Sequence, residues 1–376
     1  MKVYLNDGGN GDCLILATEN TSIMIDGGTA SSYNSWKKIL SKFSKFDALF
    51  VTHIDNDHVN GLIRMLEEKS HPVLKEVFFN GLEQLISAKR LEENISQEES
   101  SAFDTIISNF TKDVEGESEI GFSEGTSLSF ILEALNYRIN ERFESGVITS
   151  TSVPDKFIIG DIAIEIIGPT DGCISKIKSD WINILSEYGL KMKGLHKKHS
   201  IAFEKYIDSL SSDIDDEEIC GPSCETIEQL SDVPFVDDGS LNNMSSISFL
   251  AEFNEKKVLF LGDSDTKTIT QWMDLKGYET LEVDAVKLPH HGSKHNYNRI
   301  LLERILCKRY LISTNGKKHS HPDLETLARI VRYSKKQPID IYINHPIAHV
   351  NQSFKEKFSK YSCGSKILIN EKEILI

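Results

Sequence analysis

The sequence predicts an α+β fold in which two β-sheets are sandwiched between helices. Three observations carry that expectation: strand patterns open the chain, strand patterns return in its second half and close it, and helical periodicity fills the intervals. Lys2 to Leu5 and Cys13 to Ala17 read as strands around the turn Asp7-Gly8-Gly9-Asn10-Gly11-Asp12. Ser22 to Ile25 is a third strand, ended by Asp26-Gly27-Gly28. A helix is expected around Ser35 to Phe43, and the mostly apolar run Ala48 to Val51, stopping at Thr52-His53, suits a buried strand. From about Glu83 to Arg142, Leu, Ile and Phe recur at three- and four-residue intervals among Glu, Ser and Lys, as in surface helices.

Lys156 to Gly168 returns to strands around the turn Gly160-Asp161, and Cys173 to Leu230 is again helical and charged. Two strands, Ser245 to Phe253 and Lys257 to Leu261, flank the short turn Asn254-Glu255-Lys256. Further strands at Ala285 to Leu288 and Tyr310 to Ser313, a helix from about Leu324 to Tyr333 and a hairpin near Lys366 to Ile376 complete the pattern. Residues 1–376 are read as one domain with insertions at about 83–150, helical, and 171–240, helical and acidic.

Composition narrows the function classes. With 39% apolar and 26% charged residues the chain can bury a core. Its net charge of -15 argues against a general polyanion binder, because non-specific nucleic-acid affinity comes mainly from Lys and Arg on phosphates. No apolar run approaches the ~18 residues of a membrane span, and Met1 to Leu5 leads into a strand rather than a secretory segment, so no membrane association and a cytoplasmic location are expected. The scattered cysteines Cys13, Cys173, Cys220, Cys224, Cys307 and Cys363 are expected as reduced thiols; Cys220 and Cys224, beside the acidic run Asp213 to Glu218, read as part of a solvated loop.

The chemistry concentrates in Thr52-His53-Ile54-Asp55-Asn56-Asp57-His58-Val59-Asn60-Gly61, with two imidazoles and two carboxylates in six residues directly after a buried strand. A loop at a strand's end converges such side chains on one point, and imidazole with carboxylate is the ligand chemistry of divalent metals. The plainer alternative is a polar turn with a helix cap at Asp55 or Asp57.

This segment resembles the metal-binding loop of the metallo-β-lactamase superfamily, usually His-x-His-x-Asp-His, with Asp55 where the second histidine normally stands. The His-x-Asp-x-Asp-His variant is similar to the metallo-β-lactamase domain of the ComEC type. Gly11-Asp12-Cys13-Leu14-Ile15 followed by Met24-Ile25-Asp26-Gly27-Gly28 resembles that group's opening hairpin, which implies that Asp26 orients the metal loop. Val258-Leu259-Phe260-Leu261-Gly262-Asp263 resembles the strand whose terminal carboxylate bridges two metals, a role this implies for Asp263. Lys287-Leu288-Pro289-His290-His291-Gly292-Ser293 resembles the His-His-Gly-Ser motif, with His291 favoured as ligand and His290 facing substrate. Ile312 to Gly316 with Ser320-His321-Pro322 is similar to the C-terminal loop that brings a histidine near the site.

The resemblance implies an αββα sandwich and a ligand set of His53, Asp55, Asp57, His58, Asp263 and His291 for one or two divalent ions, zinc or manganese foremost. One site would use Asp57, His58, Asp263 and His291; the other His53, Asp55 and Asp263, completed by His321 or water. A further metal-binding histidine of the family has no clear counterpart, and His196 and His199, in a charged insert, read as solvated.

The implied activity is metal-dependent hydrolysis, foremost of a phosphodiester such as a DNA strand, by a metal-bound hydroxide. Asp57 would orient the nucleophile, His290 or His321 would serve the leaving oxygen, and Lys287, Lys294 and His295 could supply charge to a phosphate. Alternatives are a small phosphoester, cyclic nucleotide, thioester or lactam as substrate, or a metal-stabilised sensor that binds a protein partner through the inserts.

Overall fold

A computed structural model describes residues 1–86, 94–111, 127–191, 194–211 and 226–376. Its architecture is the expected four-layer αββα sandwich, built on two sheets whose strands are apolar on both faces. The first sheet runs in the order Glu373–Leu375, Lys2–Leu5, Leu14–Ala17, Ser22–Ile25, Ala48–Phe50 and Val77–Phe78. Pairing is antiparallel as far as Ser22–Ile25 and parallel beyond it. The second sheet runs Lys366–Ile369, Asp340–Ile343, Arg309–Ile312, Ala285–Lys287, Lys256–Phe260, Ser248–Phe253, Ile162–Gly168 and Lys156–Ile159. It is parallel up to Lys256–Phe260 and antiparallel after it.

Successive side chains on a strand point to opposite faces, so each run is shared between two cores. Leu14, Leu16, Ile23, Ile25, Ala48 and Phe50 face the other sheet, while Ile15, Met24, Leu49 and Val51 face helices. In the second sheet Phe249, Val258 and Phe260 point inward, and Leu250, Leu259 and Leu261 outward. The sheets meet through a ring stack in which Phe249 lies 4.3 Å from Phe50 and 5.2 Å from Phe260.

Helices Asn56–Glu67, Gln97–Phe110, Asp171–Glu187 and Lys197–Ser209 contribute to the core outside the first sheet. Thr266–Leu275, Arg299–Arg304, Leu324–Tyr333 and Gln352–Tyr361 cover the second. The insert segments are helical where described, at Leu82–Ile86, Gln97–Phe110, Leu128–Ala134, Asp171–Glu187, Lys197–Ser209 and Ile227–Ser231. Cys220, Cys224 and the acidic run from Asp213 lie outside the described residues. Cys13, Cys173 and Cys307 are buried free thiols and Cys363 is an exposed one. Among the described residues no helix is long and apolar enough to cross a membrane.

Two expectations are corrected. The terminal segment is not a hairpin: Lys366–Ile369 pairs with Asp340–Ile343 in the second sheet, whereas Glu373–Leu375 crosses to the first and pairs with Lys2–Leu5. His199 is not solvated. It is 1% exposed, its ring lies 5.1 Å from that of Phe103 and 5.8 Å from that of Trp181, and its Nε2 accepts the Trp181 Nε1–H at 3.2 Å. The helix Lys197–Ser209 buries His199 together with Ser200, Ile201, Ala202, Phe203, Tyr206 and Ile207, so the charged neighbours of His199 in sequence do not set its surroundings. His196 caps that helix, its Nδ1 accepting the Lys198 N–H.

Candidate metal centre

The chain turns that carry the functional side chains follow the carboxyl ends of strands. Asp26 follows Ser22–Ile25, His53 follows Ala48–Phe50, Asp263 follows Lys256–Phe260, and His290 and His291 follow Ala285–Lys287. Asp26, His290 and His291 hold positive φ (55°, 45° and 52°), a region that non-glycine residues enter at a cost of roughly 1–3 kcal/mol and that recurs at functional sites. The turn at His290 is fixed by its N–H to the Gly262 carbonyl at 3.0 Å and by the Ser293 N–H to its own carbonyl at 2.8 Å.

Asp57 and His58 lie in the first turn of the helix Asn56–Glu67, and that helix docks by backbone contact. Gly27 N–H donates to the His58 carbonyl at 2.8 Å and Gly61 N–H to the Gly28 carbonyl at 2.9 Å. A Cβ on Gly61 would stand 1.9 Å from the Gly27 oxygen, so the packing requires glycine there.

These turns converge on the Asp263 carboxylate. His58 Nε2 lies 3.6 Å from its Oδ1, and His53 Nε2, His290 Nε2 and His291 Nε2 lie 4.0, 4.0 and 3.9 Å from its Oδ2. Asp57 stands at the side, its Oδ2 3.7 Å from His291 Nε2 and accepting from Asn10 Nδ2 at 3.0 Å. Three sets, His53 with His58 and Asp263, Asp57 with His58 and His291, and Asp12 with Asp26 and His58, have ligand atoms near enough together to hold an ion. His53 Nε2, His58 Nε2, His291 Nε2 and Asp263 Oδ1 are buried and find no hydrogen-bond partner among the described residues. Buried polar atoms are nearly always satisfied, and four without a protein partner that point at one place fit the binding of a divalent cation.

The outer nitrogen of each imidazole is engaged. His58 Nδ1 meets Asp26 Oδ2 at 2.8 Å, and Asp26 also accepts from Thr52 N–H at 2.8 Å and Thr52 Oγ1 at 2.6 Å. His291 Nδ1 donates to the Ser313 carbonyl at 2.9 Å. His53 Nδ1 lies 3.0 Å from Thr52 Oγ1 and 3.2 Å from Ser246 Oγ, and His290 Nδ1 lies 3.2 Å from Asp238 Oδ2 and from Asn296 Oδ1. Partners of this kind fix the tautomer and leave Nε2 free to ligate.

The charges follow from burial and neighbours. Burial, with His58 beside it, lowers the His53 imidazole to about 3. Burial also works against a charged His58, but Asp263 and Asp26 outweigh it and hold that ring well above the usual range. For Asp57 and Asp263 burial opposes ionisation, yet the surrounding imidazoles keep both carboxyls below their ordinary values. His290 is raised to about 9: burial resists its charge, and Asp263 and Asp238 more than compensate.

Four expected participants stand elsewhere. Asp55 precedes the helix in extended conformation (φ −134°, ψ 148°), and its Oδ2 accepts from Ser211 Oγ at 2.9 Å and Asn242 Nδ2 at 3.3 Å rather than joining the cluster. Lys287 is buried and ion-paired with Asp12, so it offers no charge to a substrate. Lys294 and His295 are occupied locally: the Lys294 ammonium lies 3.9 Å from Glu325, and His295 Nδ1 sits 2.8 Å from the Val236 carbonyl. His321 packs edge-on to His290 at 5.2 Å, with Nδ1 3.2 Å from Asp323 Oδ2. Asn10, Asp12, Ser246, Asp238 and Asn296 were not singled out from sequence; Asn10 and Asp12 lie in the opening glycine-rich turn, whose polar residues were the available signal.

The Metallo-beta-lactamase superfamily family model matches residues 6–126. Among curated proteins none matches the chain. Three solved structures are similar in form. CmlA beta-hydroxylase (E377D mutant) is 12% identical at a TM-score of 0.38, and the alignment covers 99% of this chain but 52% of that one, so this chain spans about half its length. The metallo-beta-lactamase fold protein YhfI from Bacillus subtilis is 8% identical, with 99% and 98% of the two chains covered and a TM-score of 0.36. Human tRNase Z, short form, is 10% identical, with 84% and 93% covered and a TM-score of 0.32. At these identities and scores the likenesses carry no assignment of activity or ligand.

Proposed function

We propose that the metallo-β-lactamase superfamily domain of this chain supports a metal-dependent hydrolase that cleaves phosphodiesters. The observation that carries the reading is the convergence of His53, His58 and His291 Nε2 with Asp263 Oδ1, all buried and without partners among the described residues. The donor set of three imidazoles with the carboxylates of Asp57 and Asp263 suits zinc or manganese. A divalent ion held there would supply Lewis acidity, lowering the pKa of a water toward neutrality and drawing charge from a phosphoryl oxygen.

The rest of the chemistry belongs to the chain. Asp26 and the Ser313 carbonyl hold the Nδ1 protons of His58 and His291, so Nε2 is the nitrogen that each ring turns inward. Asp57, steadied by Asn10, orients the attacking group from one side of the centre. His290 is the most open of the clustered imidazoles, with 22% of its side chain exposed; held at Nδ1 by Asp238 and Asn296, it offers a proton from Nε2 to the leaving oxygen. His321, against the His290 ring, borders the same opening.

Support for an anionic substrate comes from the segment Asn315-Gly316-Lys317-Lys318-His319. Burial, with Asp57 and Asp208, raises the Asp55 carboxyl to about 8, and the imidazoles of His58 and His291 hold Asp57 low against burial; the Lys318 ammonium makes a smaller contribution that favours the ionised form of both, and so sets positive charge beside the centre of a protein whose net charge is -15. This basic segment is the ground for favouring phosphates. The resemblance to ComEC-type domains makes a DNA strand the first polymer to try.

The test is manganese- and zinc-dependent cleavage of labelled single-stranded and duplex DNA, with bis-p-nitrophenyl phosphate alongside, by wild type and Asp57→Ala. Cleavage that needs metal and falls at least 100-fold in the variant is expected. Bound metal with no turnover of any phosphodiester would defeat the proposal.

A further inference from the structure

We propose that the buried ion pair between Asp12 and Lys287 is a positioning device for His291, an inference that rests on the metal-centre reading above. Lys287 is 1% and Asp12 2% exposed at the side chain, and the pair bridges the two sheets beneath the centre: Asp12 lies in the turn before Leu14–Ala17, Lys287 at the end of Ala285–Lys287. A buried pair of this kind gives little net stability, since apolar residues of similar volume often serve as well, so its presence calls for another role.

The geometry supplies one. Lys287 Nζ takes Asp12 Oδ2, while Asp12 Oδ1 has no hydrogen-bond partner among the described residues and lies 3.4 Å from His291 Nδ1. That nitrogen already donates to the Ser313 carbonyl at 2.9 Å. His291 Nδ1 therefore faces two oxygens that only accept, which keeps its proton on Nδ1 and the lone pair on Nε2, toward Asp57 and Asp263. Lys287 pins the carboxylate in place and balances its charge, so that the extra anion beneath His291 brings no net charge to the centre.

One turn does this for two ligands. Asn10 holds Asp57 and Asp12 faces His291, and between them Gly11 lies so close to the helix Asn56–Glu67 that a Cβ would stand 1.7 Å from the Asp57 carbonyl oxygen. The same strand end that supplies Lys287 leads three residues on to His290 and four to His291, so the counter-ion and the imidazoles move as one piece.

The experiment measures manganese and zinc binding by titration calorimetry, and melting in chelator, for wild type, Asp12→Asn and the doubly neutral Asp12→Asn/Lys287→Met. The double variant is expected to melt within about 5 °C of wild type yet bind the ions 10- to 100-fold more weakly, the usual loss when a ligand's outer partner is removed. Asp12→Asn, which keeps the side-chain shape, is expected to weaken binding in the same range, so the inference remains testable if the double variant does not fold. A folded variant of either kind that binds within twofold of wild type overturns the inference and leaves the metal reading standing. A wild type that binds neither ion overturns both.

Discussion

Acid should loosen the helical insert through His199, and the size of the effect follows from its surroundings. Burial between Phe103 and Trp181, its largest cause, lowers this imidazole from 6.5 to about 4. The unfolded chain therefore takes up this proton first. The contribution is complete above pH 6.5 and is lost as pH falls from 6.5 toward 4. Linkage gives a loss of about 2.5 kcal/mol by pH 4.5 from this residue alone. Urea unfolding followed by circular dichroism, at pH 7 and pH 4.5 in chelator, should show wild type losing about that much more stability over the interval than His199→Gln. Equal losses in the two proteins would refute the account. The effect reaches the centre's flank, because the helix Lys197–Ser209 carries Asp208, which accepts from Asn56 Nδ2 at 2.9 Å, and leads to Ser211, which donates to Asp55.

Asp26→Asn should bind manganese and zinc about 10- to 100-fold more weakly by calorimetry, because the new amide would set a donor against either Thr52 or the His58 Nδ1–H; binding within twofold of wild type would contradict the orienting role. Gly61→Ala should cost roughly 1–3 kcal/mol or more, since its methyl would meet backbone on the Gly27 side. Thermal melting of the metal-free protein should fall by several degrees, and a midpoint unchanged within 1 °C, of the order expected for no effect in a chain this size, would show that the helix can stand off.

The fold was legible wherever burial on both faces leaves a short apolar run, as at Ala48–Phe50 and Ser248–Phe253, and the helix Leu324–Tyr333 was readable from its periodicity. The destination of the last strand was not, because a local turn between Ile369 and Glu373 looks the same whether the chain folds back or crosses to the other sheet. Among candidate site residues, the structure brings His53, Asp57, His58, Asp263, His290 and His291 together and sets His321 beside them. Asp55 misleads because its spacing is that of a converging loop, while the helix beginning at Asn56 turns its carboxylate toward Ser211 and Asn242, partners remote in sequence. Lys287 reads as a cation near a motif, and only tertiary structure reveals an acid 275 residues away that neutralises it. His199 shows the same limit, since the polarity of its neighbours in sequence says nothing of the aromatic rings around it in space.

The centre joins two halves of the chain. His53, Asp57 and His58 come from the first sheet and its helix, Asp263, His290 and His291 from the second sheet. Neither half alone presents a complete donor set, so separated fragments should regain the centre only by docking. Any ion that binds there must favour the docked arrangement by the free energy of its own binding, which makes metal concentration a control on cohesion between the sheets as well as on chemistry.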